Sequence, residues 1–392
     1  MHKFCSCLPP VVLAGLLLIT SISASANPVV HFAGFAYSGA YSSIKTSFPY
    51  TASLNPPTGS SGSSVFDESL RDMLSNKTFK GFTLNFNSLG NTKNGDSLAL
   101  AFVLNNESVS IEHIQANVYK LLITLDAEAL FFDANKMEIV ATYPFGLDYI
   151  DALPNPPTKE YIESKIRDIY LGGVHANIFS QFSDVLAKIN LKRRYGNTIQ
   201  IGDVGISDQA QAFLPEDMQA NLATLKTQIA TQFSNYLSKN ADVPVLPYSK
   251  GYAISNKIAA SFSNGDVFNL AIPTPDYVVT LGVKDFKKIL YSKQAAGSAW
   301  IYGVFETVKV SEPLSNHVYM DVLAKNGAVK IVPATQTNVD DWPAYEDTLL
   351  GLMNQITEQF MRPNEPWIKT HIGNETDIAE FQNVTQVLKS CQ

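Results

Sequence analysis

The sequence predicts an α+β or α/β fold built from two similar two-layer domains, each a largely antiparallel sheet with packed helices. Three observations predict it. Alternating apolar runs arrive in groups, as β-meanders do. Segments whose apolar residues recur at three- and four-residue steps separate and close those groups, as amphipathic helices do. The order of elements in residues 29–190 is then met again in 198–360, which points to an internal duplication, with two independent domains as the alternative.

Taken in order, residues 1–26 read as a secretory signal peptide and stand outside the fold. His2 and Lys3 supply the basic start, residues 11–19 the apolar run, and Ala24-Ser25-Ala26 the small-residue cleavage site. Cleavage after Ala26 is expected, so the mature chain begins at Asn27. An uncleaved anchor is the competing reading, but the run falls short of the ~20 apolar residues a bilayer requires. The first domain is placed at 27–195. It opens with an apolar, aromatic strand from Val29 broken by Gly34 and Gly39, followed by a Gly/Ser-rich loop at 55–64. Phe66, Leu70, Met73 and Leu74 share one helical face. FTLNFN at 82–87 alternates as a half-buried strand, Asn94-Gly95 turns the chain, and residues 97–114 and 118–145 supply further strands. Residues 121–125, LLITL, fit helix or strand. A helix opens at Thr158 with Ile162, Ile166 and Ile169 on one side, and another carries Phe179, Phe182, Val185, Leu186 and Ile189. Lys192, Arg193 and Arg194 follow, read as cations at that helix's carbonyl end; a phosphate-binding patch is the alternative.

The second domain is placed at 196–362. NTIQIGDVGI gives its first strand, and Leu222, Leu225, Ile229, Phe233, Tyr236 and Leu237 line a helix. PDYVVTLGVKDF and AWIYGVFETVKV are strands. Asn326-Gly327 sits between two β-rich runs and predicts a hairpin turn there, since both residues tolerate positive φ. Tyr345, Leu349, Leu352, Met353, Ile356 and Phe360 then mark a closing helix, with Asp341 as N-cap, Pro343 just inside and Pro363 as stop. Residues 363–392 are left as a carboxyl-terminal tail.

Composition narrows the function. The net charge of −7, with no basic stretch longer than three residues, gives no field for nucleic acid or an anionic membrane. Cys5 and Cys7 precede the apolar run, where no lipid-bearing cysteine stands, and leave with the signal. Cys391 then stands alone, so no internal disulfide is expected and no role is assigned to it. No G-x-S-x-G, Walker A loop, H-E-x-x-H or G-x-G-x-x-G occurs. The histidines His31, His113, His175, His317 and His371 are scattered, and His31 and His317 fall inside predicted strands as structural residues. Asp340, Asp341, Glu346 and Asp347 resemble a metal or acid/base cluster, but acids also gather where a helix begins. Asp133-Ala-Asn135 breaks the calcium-loop pattern at Met137. No enzyme, cofactor or metal is therefore expected. The aromatic start, Phe32 through Tyr50, is set among Ser and Gly, a mixture that suits recognition surfaces. Tyr37, Tyr41, Phe48 and Tyr50 are the candidate partner-binding residues, with a strand and loop packed over the first sheet as the alternative.

The second half also resembles a known family. The helix beginning at Leu222 leads into VPVLPY; Asp276, Tyr277, Val278, Val279 and Gly282 then occupy a "D-y-v-l-x-G" strand, and VYMDVLAKNGAVKI looks like a strand pair about a polar turn before a closing helix. These features are similar to the small α/β domain of the curli secretion channel family (CsgG-like), the amino-terminal domain of TolB and LpoB. The chain departs from that family in lacking a lipobox cysteine and recognisable membrane-inserting hairpins, so pore formation is not carried over. The resemblance implies a noncatalytic envelope assembly, secretion or interaction module. The expectation is a periplasmic protein, or else a secreted one, that binds an envelope or secretion-system partner. A two-lobed solute-binding protein is the alternative, and an exported hydrolase the third reading.

Overall fold

The computed structural model describes residues 27–56, 63–87, 97–115, 117–172, 177–192, 195–248, 257–336, 339–373 and 377–392. The signal segment 1–26, most of the Gly/Ser loop (57–62), Asn94-Gly95, His175, Arg193 and Arg194 lie outside the described residues.

The first sheet begins with β1 (Val29–Ser38), whose side chains are buried on both faces over most of its length. A 3-10 turn (Tyr41–Ser43) and helices α1 (Ile44–Ser47), α2 (Pro49–Leu54) and α3 (Val65–Ser75) follow. The apolar residues Phe66, Leu70 and Leu74 of α3 are buried, and Ser64 and Asp67 close a reciprocal capping box at its start. The short β2 (Thr83–Asn85) is trimmed from the FTLNFN strand. Three long antiparallel strands come next, β3 (Leu98–Gln115), β4 (Val118–Asp133) and β5 (Glu138–Leu153). Residues 121–125 are strand, with Leu121, Ile123 and Leu125 fully buried. Helix α4 (Lys159–Leu171) starts on the Thr158 cap and α5 (Ile178–Lys188) on the Asn177 cap, burying the predicted stripes.

The second sheet opens with β6 (Ile199–Ile206), followed by α6 (Asp208–Gln211), α7 (Glu216–Ala220) and the long α8 (Leu222–Ala241). The chain then returns to the first sheet with β7 (Lys257–Phe262) and β8 (Val267–Ala271). The strand order there is β2-β1-β3-β4-β5-β8-β7, and β7 also pairs with β1 at Ala36–Ser38, so the sheet curls until β7 closes on β1. A boundary at 195/196 thus does not separate the sheets, because strands from the second half complete the first. The remaining strands β9 (Tyr277–Gln294), β10 (Gly297–Glu312) and β11 (His317–Pro333) join β6 in the order β11-β10-β9-β6. Both sheets contain the same run: a first strand parallel to the next, then two antiparallel neighbours.

Asn326-Gly327 is not a turn. Both residues lie inside the single strand β11, opposite Val304 and Gly303 of β10, so the supposed strand pair of the family resemblance is one strand. The true reversal is at residues 313–316, where Asn316 takes φ +56°. Helix α9 (Trp342–Met361) buries Leu352 and Ile356 completely against β10 and β11. Each such side chain contributes roughly 1.5–3 kcal/mol of burial. The carboxyl-terminal segment is no loose tail. It forms α10 (Glu365–His371) and α11 (Asp377–Cys391), and Ile368, Phe381, Val384 and Leu388 enter the second core. The layers are therefore helices α3–α5, the first sheet, the helices α8 and α9, and the second sheet. Among the described residues no helix is long and apolar enough to cross a membrane.

Candidate functional site

The aromatic start does not form a surface. Tyr37 and Phe48 are buried in the first core, Tyr50 is half-buried, and only Tyr41 is exposed, at 38%. Phe35 stacks on Phe102 at 5.2 Å and meets Tyr37 edge-on at 5.0 Å, while the Tyr37 hydroxyl donates to the Asn55 carbonyl (3.2 Å). The Tyr50 and Thr51 N–H groups donate to the Glu107 carboxylate (2.8 and 2.7 Å), which closes the start of α2. Because β1 has another layer on each face, its rings pack inward; Tyr and Ser composition alone carried no information about those layers.

The other sequence candidates also resolve into structure. Lys192 stands beyond the end of α5, not on its last turn, and its Nζ donates to the main-chain oxygen of Gln392. Asp341 occupies the N-cap position of α9 but makes no side-chain cap. Its carboxylate turns to the sheet, accepting Lys288 Nζ at 2.7 Å on each oxygen and the Tyr302 hydroxyl at 2.5 Å. Asp340 caps instead, accepting the Trp342 N–H (3.0 Å). Glu346 and Asp347 sit past the first turn, and burial, with Asp347 and Asp148 adding like charge, lifts Glu346 to about 7. Asp133 accepts the N–H groups of Asn135 and Lys136 (3.0 Å each) in the β4–β5 turn. His31 is buried with Nδ1 3.4 Å from the Asn87 carbonyl, and His317 meets Tyr319 edge-on. Cys391 is buried, which pushes its thiol up to about 12. Among the described residues no three His, Cys, Asp or Glu side chains stand together as an ion site.

What the structure assembles is a cleft of about 760 Å³ where the two halves meet. Its walls are β5 from Tyr143 to Asp148, the exposed side of α5, and the α8 face carrying Gln232, Asn235, Tyr236 and Lys239, with Gln392 at the rim. The short segment after α8 holds the halves together here. Val245 N–H donates to the Thr142 carbonyl of the first sheet (3.0 Å), the Thr142 hydroxyl donates back to Val245, and Leu246 N–H donates to Ile199 of the second (2.8 Å).

Asp126 forms the floor. It is 2% exposed and accepts Asn106 Nδ2 from β3 (3.1 Å), Gln232 Nε2 (3.1 Å) and Asn235 Nδ2 (3.0 Å) from α8. The carboxylate lies across Gly146, its partner on β5; a Cβ there would stand 2.7 Å from Asp126 Oδ1. Burial lifts Asp126 to about 6, the three amides opposing that rise. Asn235 Oδ1 is buried without a partner among the described residues. The Tyr143 and Tyr195 hydroxyls are 2.7 Å apart, and Asp148, Asp184 and Asp242 stand among Lys188, Lys192 and Lys239 on the lining. The lining has amides, phenols and both charges but no histidine or cysteine, and its serine, Ser238, donates to Val243 (2.9 Å). Such a wall is equipped to hydrogen-bond a polar molecule. Inspection of the sequence passed over Asp126, Gln232 and Asn235. The available signal was LITLDAEALFF, where two acids interrupt an apolar strand at alternate positions.

No family model matches the chain, and no curated protein matches it. Solved structures with some likeness include a DUF330 protein from Xanthomonas campestris (10% identity, 48% of this chain and 88% of that one, TM-score 0.21). A minor lipoprotein from Acinetobacter baumannii gives 10% identity, 42% and 90% coverage, and a TM-score of 0.21. A homolog of neuraminyllactose-binding hemagglutinin from Helicobacter pylori gives 11%, 51% and 95%, and 0.23. At such TM-scores these likenesses carry no argument for the function of this chain.

Proposed function

We propose that the protein is an exported, noncatalytic binding protein that holds a small polar molecule in the cleft between its halves. The cleft carries this reading. It has the size of a metabolite site, lies where two lobes meet, and has a buried carboxylate and an unpartnered amide oxygen in its wall. The signal-like start supports work in the periplasm, or outside the cell, after cleavage following Ala26. The recurring strand order supports a duplicated origin for the halves.

Thermal-shift screening of the mature chain against amino acids, amines, sugars and nucleosides, followed by calorimetry, tests the reading. A ligand whose affinity falls on Gln232→Ala and on filling the cleft with Gln181→Trp is the expected result. A ligand bound equally well by both variants would remove the cleft from the account. A second reading, an envelope or secretion-partner module, is supported by the exposed apolar residues of the second sheet and by the family resemblance.

A further inference from the structure

The ends of β9, β10 and β11 form a three-stranded ribbon that the helix layer reaches at Lys288, Trp300 and Asn326. Within residues 287–301 and 325–333 no residue is buried. Ile331 is 72% exposed, Tyr291 69%, Val329 59% and Ile289 56%. On the face away from the helices, Ile289, Ile301 and Val329 stand side by side across the three strands. The same stretches carry five lysines and no acid, in a chain with 36 acids. Lys287 meets Asp285 and Lys288 meets Asp341, both acids lying outside the ribbon, while Lys293, Lys325 and Lys330 have no acidic partner among the described residues.

We infer that this ribbon docks on an anionic lipid surface. Exposed aliphatic side chains with Tyr291 suit the headgroup boundary, and lysines around them suit its negative potential. Lysine is a point charge without the fork that pairs carboxylates directionally, which fits a diffuse field better than a sculpted protein partner. A second copy placed on the same patch would set lysines against lysines. The ribbon lies against the surface and does not span it, because the outer edge of β11 would leave backbone groups unsatisfied in hydrocarbon. Net charge hides all this, since the rest of the chain is acidic enough to mask the patch.

Vesicle flotation with the mature chain tests the inference. Phosphatidylcholine vesicles containing phosphatidylglycerol should retain the protein, pure phosphatidylcholine should not, and high salt should release it. Each of Lys293→Gln, Lys325→Gln and Lys330→Gln should weaken partitioning roughly fivefold, and Tyr291→Ser with Ile331→Ser should weaken it further. All five positions are unburied, so the variants should melt like the parent, and loss of binding in a well-folded variant supports the ribbon. Equal retention on both vesicle types, or variants that bind as the parent does, would overturn the inference. So would a dimer that the same substitutions dissociate while no vesicle binding is seen.

Discussion

The two sheets share a strand order but not a burial pattern, and β4 against β10 shows the difference. From Leu125 to Phe132 every residue of β4 is buried, because α5 covers one face while α8 and the β7–β8 hairpin cover the other. Along β10 burial alternates strictly from Ile301 to Val310, because only the α8–α9 side is covered. Apart from Asp126 and Glu128 the run LDAEALFF is apolar or small on both faces, whereas YGVFETVKV alternates, so each strand's sequence follows the number of layers around it. A sheet with two covered faces can hold a cleft between lobes. One with an open face can present a surface.

The largest expected effect probes the doubly covered face. Phe132, on the side of β4 roofed by Phe268 and the β7–β8 hairpin, should cost about 3–5 kcal/mol when cut to alanine. Hydrogen exchange should speed up across 257–271 at the same time. A loss no greater than that of Leu323→Ala, half exposed on the open face of β11, would break the comparison.

Acids sharpen it next. Glu306, on the covered side of β10, is fully buried with no partner for either carboxyl oxygen among the described residues, and burial lifts it to about 8. Burial lifts Glu128 on β4 to about 7. In both, the folded state holds the proton more tightly than the unfolded chain does. The stability they contribute is full below about pH 4.5, the unfolded value, and is lost as pH rises through 7 to 8. Urea melts should show lower stability at pH 8 than at pH 5. Glu306→Met should recover a few kcal/mol at pH 8 and little at pH 5; equal gains at both pH values would mean Glu306 is not held protonated.

Smaller still is the cleft floor. Gly146→Ala drives a Cβ against Asp126 and should cost about 1–3 kcal/mol, as overpacking does. It should also weaken the hold of Gln232 and Asn235 on the carboxylate. A neutral result would show that β5 gives way easily beside α8. The smallest effect is expected at Glu358, exposed on α9, where Glu358→Lys should stay within about 0.5 kcal/mol while Leu352→Ala costs about 2–5. Equal melting losses would put the helix in the wrong phase.

Much of this fold was legible in residue order because its causes are local. The helices α3, α4, α8 and α9 follow from three- and four-residue spacing of Phe66, Ile166, Phe233 and Leu352, and Thr158 marks a start through its own side chain. The strands follow from alternation. Local pattern also misled: Asn326-Gly327 tolerates a turn but does not demand one. Backbone partners on β10 decided for extended chain, and Asn326 Nδ2 reaches the Thr348 carbonyl of α9 (3.4 Å). Which sheet β7 and β8 would join, whether Tyr37 would face water, and that Asp126 would meet Gln232 and Asn235 from 106 and 109 residues away were decided only in the tertiary structure. Spacing along the chain sets which residues share a face. What lies over that face depends on contacts between distant segments, and these are settled by competition for burial among all the faces at once.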